Sequence, residues 1–517
     1  MAHIMPGAFA IPGFLDTAGI EIWLEQQVWG HRLYNDQTPW LLLLEAVGLM
    51  AFRAGDQNCG TQVFPGVSDT HENMRYELKA AKRLRQILFS DRNIDEIANG
   101  QAVSDAVLWS RWFASAGATS EVDFGYLKAR FVKFSSFRNA VTLLRGSEIE
   151  PQRKRRLTSR HLAPRGPAML SADYGEGRRR SAGVDKDRRF FARGGELLFL
   201  MLNRSGHSEA LETLVKRRLL SRHSRWNRLA EHLAPPEQEN PVAFENIGYL
   251  PLPFHPAYGV LGRDWVSLLS LASLPDDHLS EPLMRRSALA IVRYIVERAA
   301  EVLGEGRPLM PIDTRGPNTA GLRKLSRDAF ARHRDMTRKV IERVTDDFVA
   351  SEAWKRACKQ PNPTKAALEL IEARFGFEPK EMGSRTLGAL PQAIKEAALD
   401  NHNEHLGLVM GFYAEHIGLA ARRGSSRWYV LSDPMLEAIV LGNVADPMEY
   451  EAFLETLHVR YGFVIGTEVA GRCYTNVNYQ QVKANQKHLE ERLRMLGLLK
   501  RLSDDCAFVV NPFWTEE

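Results

Sequence analysis

The chain has 517 residues, long enough for two to four domains that each bury a hydrophobic core. Its composition of 44% hydrophobic and 25% charged residues is typical of a water-soluble globular protein, and no apolar run reaches the roughly 18 residues that a membrane helix needs. The formal net charge of +5 indicates no class of partner by itself. The four cysteines form no CxxC pair, so the sequence supports neither a disulfide framework nor a zinc knuckle. With no secretory signal visible, we expect a cytoplasmic protein without membrane contact.

Residues 1–145 are predicted to form an N-terminal helical domain, because apolar side chains recur at helical spacing in five segments. Thr38 and Pro39 mark the start of the second segment, since proline is tolerated at the first helical position. The segments are Ile20 to Trp29, Trp40 to Met50, Glu72 to Phe89, Asp105 to Phe113 and Phe124 to Leu144.

Residues 146–193 are predicted to form a basic, partly flexible linker, because they are rich in Gly, Pro, Ser and Arg and show no long periodicity. The stretch from Glu150 to Arg193 holds thirteen Lys or Arg against five Asp or Glu, a net of +8, so the remainder of the chain carries −3. Such local positive charge favours binding to a polyanion. The candidate DNA-binding residues here are Arg153, Lys154, Arg155, Arg156, Arg178, Arg179 and Arg180.

Gly194 and Gly195 precede a helix predicted to start near Leu197. Backbone N–H groups at such a helix start can bind a phosphate. The pattern lacks the spacing of a P-loop, however, and we favour a tight turn with Glu196 near the helix N-terminus, where the helix dipole stabilises a carboxylate.

A central helical domain is predicted for residues 194–425. Its first long helix, Leu211 to Leu233, carries several basic residues and Trp226, a pattern that fits either a nucleic-acid channel or a solvated helix face. The strongest helical pattern lies at Leu279 to Leu303, which has a broad apolar face. Further predicted helices run from Ser326 to Phe348, Thr364 to Phe375 and Pro391 to Leu399.

No catalytic motif or cofactor site is found in the sequence. His402, Glu404, His405 and His416 form the only local cluster of metal-ligand types, and its spacing matches no known metalloprotease pattern. We expect these histidines to lie at the surface or to cap helices. We therefore predict no catalytic residue, metal ligand or cofactor.

Residues 426–517 are predicted to form a C-terminal winged helix-turn-helix domain. A strand at Trp428 to Leu431 and a helix starting at Asp433 lead into it. Asp446 and Pro447 are read as the start of a helix that ends at Gly462. A second helix follows from Asn478 to Leu496, and two short apolar strands flank a turn at residues 503–505. The predicted fold class is mainly α.

In a helix-turn-helix the second helix enters the major groove of DNA, where basic side chains meet phosphates and amide side chains read base edges. Acidic side chains such as Glu490 and Glu491 dilute the positive charge, and winged helices also bind proteins. The candidate DNA-binding residues are Gln481, Lys483, Lys487, Arg492, Arg494, Lys500 and Arg501.

Four stretches resemble uncharacterised proteins encoded in bacterial multi-gene phage-defence and restriction clusters. This resemblance implies a DNA-sensing or accessory subunit that works beside a methyltransferase, nuclease or ATPase. The stretches are Trp29-Gly-His-Arg-Leu-Tyr with Gln37-Thr-Pro-Trp40, Phe190-Phe-Ala-Arg-Gly-Gly195, Arg460-Tyr-Gly-Phe-Val-Ile-Gly466, and Leu489-Glu-Glu-Arg-Leu-Arg-Met-Leu-Gly-Leu-Leu499 running into Asn511-Pro-Phe513.

The sequence thus favours a non-catalytic subunit that binds double-stranded DNA and other proteins of the same defence cluster. One alternative is a protein–protein scaffold without nucleic acid. The other is a nuclease whose site is assembled from residues far apart in the sequence. Salt-sensitive binding to duplex DNA, weakened by alanine at Lys483, Lys487 and Arg492, distinguishes the first hypothesis from the scaffold. Metal-dependent cleavage of plasmid DNA, lost on alanine substitution of His402, His405 and His416, would establish the nuclease.

Overall fold

The computed structural model describes most of the chain. The described residues are 7–9, 20–30, 33–55, 62–66, 74–78, 81–90, 93–99, 103–117, 124–153, 160–172, 175–176, 186–187, 193–235, 243–375, 377, 385–503 and 506–514.

Helices make up most of the described structure, which confirms the predicted mainly α fold. The N-terminal helices are α1 (Ile20–Trp29), α2 (Pro39–Gly55), α3 (Lys82–Arg85), α4 (Asn93–Ala98), α5 (Asp105–Gly117), α6 (Gly125–Arg130) and α7 (Phe134–Arg145). The central helices are α8 (Gly194–Asn203), α9 (Ser208–Arg218), α10 (Arg225–Leu233), α11 (Pro256–Ser270), α12 (Asp276–Leu303), α13 (Ala320–Ala350), α14 (Glu352–Ala357), α15 (Pro363–Phe375), α16 (Leu390–Glu404) and α17 (Leu406–Ile417). The C-terminal helices are α18 (Asp433–Asn443), α19 (Tyr450–Tyr461), α20 (Thr467–Cys473) and α21 (Tyr479–Met495).

The strands are short and form small separate sheets. They are β1 (Arg75–Leu78), β2 (Gly175–Glu176), β3 (Lys186–Asp187), β4 (Ala243–Asn246), β5 (Met310–Pro311), β6 (Ala420–Arg423), β7 (Ser426–Tyr429), β8 (Met448–Glu449), β9 (Phe463–Val464), β10 (Leu499–Ser503) and β11 (Cys506–Val509). The pairs β1–β4, β2–β3 and β6–β7 are antiparallel, β5 and β9 are parallel, and β10, β11 and β8 form a three-stranded antiparallel sheet in that order.

Helix α12 is the centre of the main hydrophobic core, as its broad apolar face predicts. It packs against α1, α2, α11, α13, α17 and α18. Buried side chains of this core range along the chain from Leu24 to Val509. A second, smaller core is rich in aromatic residues and includes Trp109 and Trp112. Among the helices that the structure describes, none combines the length and apolar character needed to cross a lipid bilayer.

The segment from Glu72 to Phe89 was predicted as one charged helix, and this prediction is wrong. Arg75–Leu78 is a strand that pairs with Ala243–Asn246, and helical structure starts only at Lys82. The pairing gives the backbone of this segment hydrogen-bond partners from a distant part of the chain. Helical spacing of side chains could not reveal that partner.

Two other predicted helices are each interrupted in the structure. The segment from Phe124 to Leu144 forms α6 and α7, because Phe131 is extended and the Asp105 carboxylate accepts a hydrogen bond of 2.8 Å from the Phe134 N–H at the start of α7. The segment from Leu211 to Leu233 forms α9 and α10, and Ser224 caps the second of these helices.

Ser326 was predicted as the start of a helix but lies inside α13, which begins six residues earlier. Its hydroxyl accepts a hydrogen bond of 2.8 Å from the Tyr429 N–H and donates one of 3.1 Å to the Tyr429 carbonyl oxygen. Ser326 therefore connects α13 to β7 rather than marking the start of a helix.

His333 of α13 is fully buried beside Tyr429, with its Nδ1 atom 2.7 Å from the tyrosine hydroxyl. Burial, and then the positive charge of Arg332, lower the pKa of His333 to about 3. In the unfolded chain a histidine has a pKa near 6.5. Below about pH 6.5 the unfolded state therefore binds a proton that the folded state does not bind.

We expect the free energy of unfolding to decrease as the pH falls from about 6.5 towards 3, with a loss of about 2 kcal/mol at pH 5 from His333 alone. Urea titrations at several pH values measure this slope. His333→Gln keeps a hydrogen-bonding side chain without the titration, so this variant should have a flatter pH profile. An equally steep profile in the variant would contradict the assignment to His333.

Candidate nucleic-acid interface

Helix α21 forms where the sequence predicts it. The Asn478 side chain caps its N-terminus by accepting a hydrogen bond of 3.2 Å from the Gln481 N–H. At the other end Gly497 has a φ of 73°, a left-handed conformation that ends helices. Leu489 and Leu493 are buried, whereas Leu496 is 39% exposed.

One polar face of α21 is docked against residues 312–322, the segment between β5 and α13. The Asn485 side chain is fully buried, accepts a hydrogen bond of 2.8 Å from the Thr314 N–H and donates one of 3.0 Å to the Ile312 carbonyl oxygen. The Gln481 Oε1 atom accepts hydrogen bonds from the N–H groups of Gly321, at 2.7 Å, and Leu322, at 3.2 Å. Gln481 thus satisfies backbone donors at the start of α13.

Arg492 lies on this docked face as well. Its guanidinium forms an ion pair with Asp433 at the start of α18, and its side chain is only 12% exposed. Gln486 is occupied inside the chain too, because it accepts a hydrogen bond of 3.0 Å from the Thr467 N–H and donates one to Glu451. Intramolecular hydrogen bonds therefore occupy Gln481 and Arg492, two of the side chains predicted to contact DNA.

The opposite face of α21 is exposed and carries Lys483, Lys487 and Arg494. No hydrogen bond or ion pair joins these three side chains to another described residue. Glu491 is exposed on the same face and offsets part of the positive charge. Successive positions among these four are three or four residues apart, and residues with such spacings lie on one side of a helix. The outward face is therefore a basic stripe that is free to meet an anionic partner.

The hairpin β10–β11 adds two further cations. Lys500 is exposed and has no partner among the described residues. Arg501 is also exposed, lies 3.8 Å from Glu490 of α21 and donates a hydrogen bond of 3.2 Å to the Ser503 carbonyl oxygen. The predicted turn residues Asp504 and Asp505 lie outside the described residues.

The predicted helix start at Asp446 and Pro447 is wrong. Met448 and Glu449 form β8, which pairs with Val509 and Phe508 of β11, and α19 begins only at Tyr450. A backbone held in a strand cannot also form the first turn of a helix. Helix α20, a short helix between α19 and α21, was not predicted.

No protein-family model matches the chain, and comparisons with curated proteins and with solved structures likewise gave no match.

The predicted basic linker is only partly described. Arg153 lies 3.4 Å from the Glu150 carboxylate, and its guanidinium stacks over the Phe412 ring at 5.5 Å from the ring centroid. Its described neighbour Arg160 forms a two-pronged ion pair with Glu148. The other candidate residues of this stretch lie outside the described residues, namely Lys154, Arg155, Arg156, Arg178, Arg179 and Arg180.

The glycine pair at the start of α8 is occupied by side chains of the chain itself. The Gly194 N–H donates a hydrogen bond of 2.9 Å to Gln37, and the Gly195 N–H donates one of 2.7 Å to Glu45. A Cβ at Gly195 would lie 2.5 Å from Glu45, so this approach requires glycine. The carboxylate of Glu45 takes the place that a phosphate would have.

The predicted location of His402 at the surface or at a helix cap is wrong. Its side chain is 1% exposed, with Nδ1 lying 3.2 Å from the Glu25 carboxylate and Nε2 lying 3.1 Å from the Thr337 hydroxyl. The rings of His405 and Tyr34 pack edge to face. Within the described ranges, no three His, Cys, Asp or Glu side chains come together closely enough to hold a metal ion.

Helices α9 and α10 also present cations, but their aromatic residue is occupied. Trp226 donates a hydrogen bond to Asp277, and the Arg165 guanidinium stacks on its ring at 5.0 Å from the centroid. The guanidinium therefore covers part of the ring, whereas stacking on a nucleic-acid base requires an open aromatic face. Exposed arginines without a described partner occur here at Arg217, Arg222 and Arg228.

Proposed function

We propose that the chain is a non-catalytic, DNA-binding accessory subunit of a bacterial anti-phage defence complex, and that α21 and the β10–β11 hairpin contact the duplex. The observation that carries this proposal is the exposed, unpaired basic face of α21. A cation that already has an intramolecular partner must give it up to bind a phosphate, whereas Lys483, Lys487 and Arg494 have none to lose.

The arrangement of the C-terminal elements supports a winged helix-turn-helix in this role. Helices α19 and α21 are followed by a hairpin, and β8 extends that hairpin to a three-stranded sheet. A helix that enters the major groove needs one face packed against the body of the protein and the opposite face free. Helix α21 meets this requirement through its docked face at Asn485 and its basic stripe. We leave Gln481 and Arg492 out of the proposed interface, because both are bonded internally.

The proposed role in a defence complex rests on the resemblance of the four sequence stretches to proteins of phage-defence and restriction clusters. In such a complex a neighbouring methyltransferase, nuclease or ATPase would act on DNA that this subunit holds.

Binding of the full chain to a duplex of about 30 base pairs is expected to weaken steeply with salt. Three to five phosphate contacts give a slope of about −0.9 each in a plot of log K against log salt concentration, so the affinity should fall roughly 40- to 500-fold between 50 and 200 mM NaCl. Fluorescence anisotropy of a labelled duplex measures this slope. An absence of binding at 50 mM NaCl would refute the proposal.

A second candidate function is a protein–protein scaffold, and exposed apolar side chains near the same surface favour it. Met495 is 74% exposed at the end of α21, and Leu502 is 72% exposed on β10. Large apolar side chains are exposed in this way at many protein contact surfaces. Co-purification with products of neighbouring genes, which the double variant M495S/L502S abolishes, together with no binding to DNA at low salt, would favour the scaffold.

A further inference from the structure

The loop between β5 and α13 lies lengthwise against α21. Thr314 of this loop bonds to Asn485, and its carbonyl oxygen lies 3.5 Å from the Arg492 guanidinium. Gly316 packs so closely on His488 that a Cβ there would lie 2.8 Å from the imidazole ring. Further along the loop, the Gly321 N–H donates a hydrogen bond to Gln481 near the N-terminus of α21. The segment therefore runs along α21 from its C-terminal half towards its N-terminus.

Two residues of this loop have a backbone conformation that side chains disfavour. Arg315 has a φ of 66° and Asn318 a φ of 60°, both in the left-handed region. For a residue with a Cβ this conformation is costly, and it persists only where the surroundings fix it. Asparagine tolerates it better than other residues, whereas arginine does not. An arginine at position 315 is therefore not explained by local backbone preference.

The Asp313 carboxylate fixes the loop. It is fully buried and accepts hydrogen bonds from the Arg315 N–H at 2.9 Å, from the Thr319 hydroxyl at 3.0 Å and from the Arg323 Nε atom at 2.6 Å. These bonds hold the backbone on both sides of the strained position.

The side chain of Arg315 takes no part in this network. It is exposed, and no hydrogen bond or ion pair joins it to another described residue. Lys324, near the start of α13, is exposed and unpaired in the same way. The chain thus keeps an unpaired guanidinium on a rigid, strained loop that flanks the helix with the basic stripe.

We propose that residues 313–319 form a second phosphate-contacting element, in which Arg315 binds the DNA backbone beside the groove that α21 occupies. This inference rests on the proposed function and adds to it a contact from outside the C-terminal domain. A rigid loop loses little conformational freedom on binding, which favours affinity. Phosphate contacts of this kind set the position of a protein on the duplex without reading its sequence.

The variant Arg315→Gly separates a binding role from a structural one. Glycine adopts a φ of 66° without strain, so the variant should unfold at a urea concentration no lower than that of the unchanged protein. Its affinity for a 30-base-pair duplex should nevertheless fall about 5- to 10-fold at 100 mM NaCl, and its salt slope should be shallower by about 1. Arg315→Lys keeps the charge and should retain most of the affinity. Arg217→Ala, which removes an exposed, unpaired arginine on α9, serves as the control and should bind normally.

Three results would overturn this inference. If Arg315→Gly binds with unchanged affinity and slope while the unchanged protein binds DNA, the loop makes no contact and the proposed function stands. If Arg315→Gly unfolds at a lower urea concentration, the arginine side chain stabilises the loop instead. If the unchanged protein binds no duplex at 50 mM NaCl, the inference fails together with the proposed function.

Discussion

Replacing Lys483, Lys487 and Arg494 together by alanine is expected to lower the affinity for duplex DNA at least 100-fold at 100 mM NaCl. Each lost phosphate contact removes the release of about 0.9 counterion, which corresponds to roughly 8-fold in affinity at this salt concentration. The salt slope should become shallower by about 2.7. Because the three side chains are exposed and unpaired, the free energy of unfolding should change by less than about 0.5 kcal/mol.

The matched control for this variant is the triple substitution of Arg217, Arg222 and Arg228 by alanine. It removes the same charge from an exposed, unpaired set on α9, on α10 and between these helices. A small effect of the control and a large effect of the α21 variant would locate the interface on α21. Equal losses in both would mean that binding responds to total charge only, and α21 would no longer be the binding surface.

The variant Arg286→Met is expected to destabilise the protein by about 3–5 kcal/mol. Arg286 of α12 is fully buried and lies 2.6 Å from the Asp264 carboxylate of α11. Although burial lowers the pKa of Arg286, Asp264 and Tyr461 raise it overall. Removing the guanidinium leaves the Asp264 carboxylate buried without its opposite charge, which is the costly part of the change.

This ion pair also ties the C-terminal helices to the central core. The Tyr461 hydroxyl of α19 lies 2.9 Å from Asp264 and 2.9 Å from Asn443 of α18, and it contacts the Arg286 guanidinium. Breaking the pair should therefore loosen the packing of α18 and α19 on α12, which hydrogen exchange can detect as faster exchange in both helices.

Urea unfolding of Arg286→Met is best compared with Arg343→Met. Arg343 is 57% exposed and pairs with Asp347, which is 63% exposed, so the loss of this surface pair should cost less than about 1 kcal/mol. The double variant D264L/R286M removes both charges of this pair and should recover much of the lost stability. Equal destabilisation by Arg286→Met and Arg343→Met would show that the buried pair does not have the assigned role.

Elements with local start and stop signals could be predicted well. Helix α21 has its Asn478 cap and Gly497 stop in the sequence, and α12 has an apolar face broad enough to indicate a central position. The strands β1 and β8 could not be predicted in this way. They exist because segments far along the chain pair with them, at Ala243–Asn246 and at Phe508–Val509.

The candidate interface, too, could be predicted only in part from the sequence. The sequence indicated a basic helix followed by a basic hairpin, but it could not tell which polar face of α21 is docked. Asn485 and its partner Thr314 are 171 residues apart, so no local pattern connects them. Arg315 was missed for the same reason, although the run Gly316-Pro317-Asn318 is a turn signal.

The sequence by itself determined the mainly helical class, the position of α21 and of the hairpin, and the residue types that they carry, because helical periodicity, capping and turn chemistry act between near neighbours. Only the tertiary structure decided that Gln481 and Arg492 face inward, that Lys483, Lys487 and Arg494 face outward, and that a strained loop packs against the docked face of α21. The physical reason is that a polar side chain becomes structural or available according to the partner it meets, and that partner comes from a distant part of the chain.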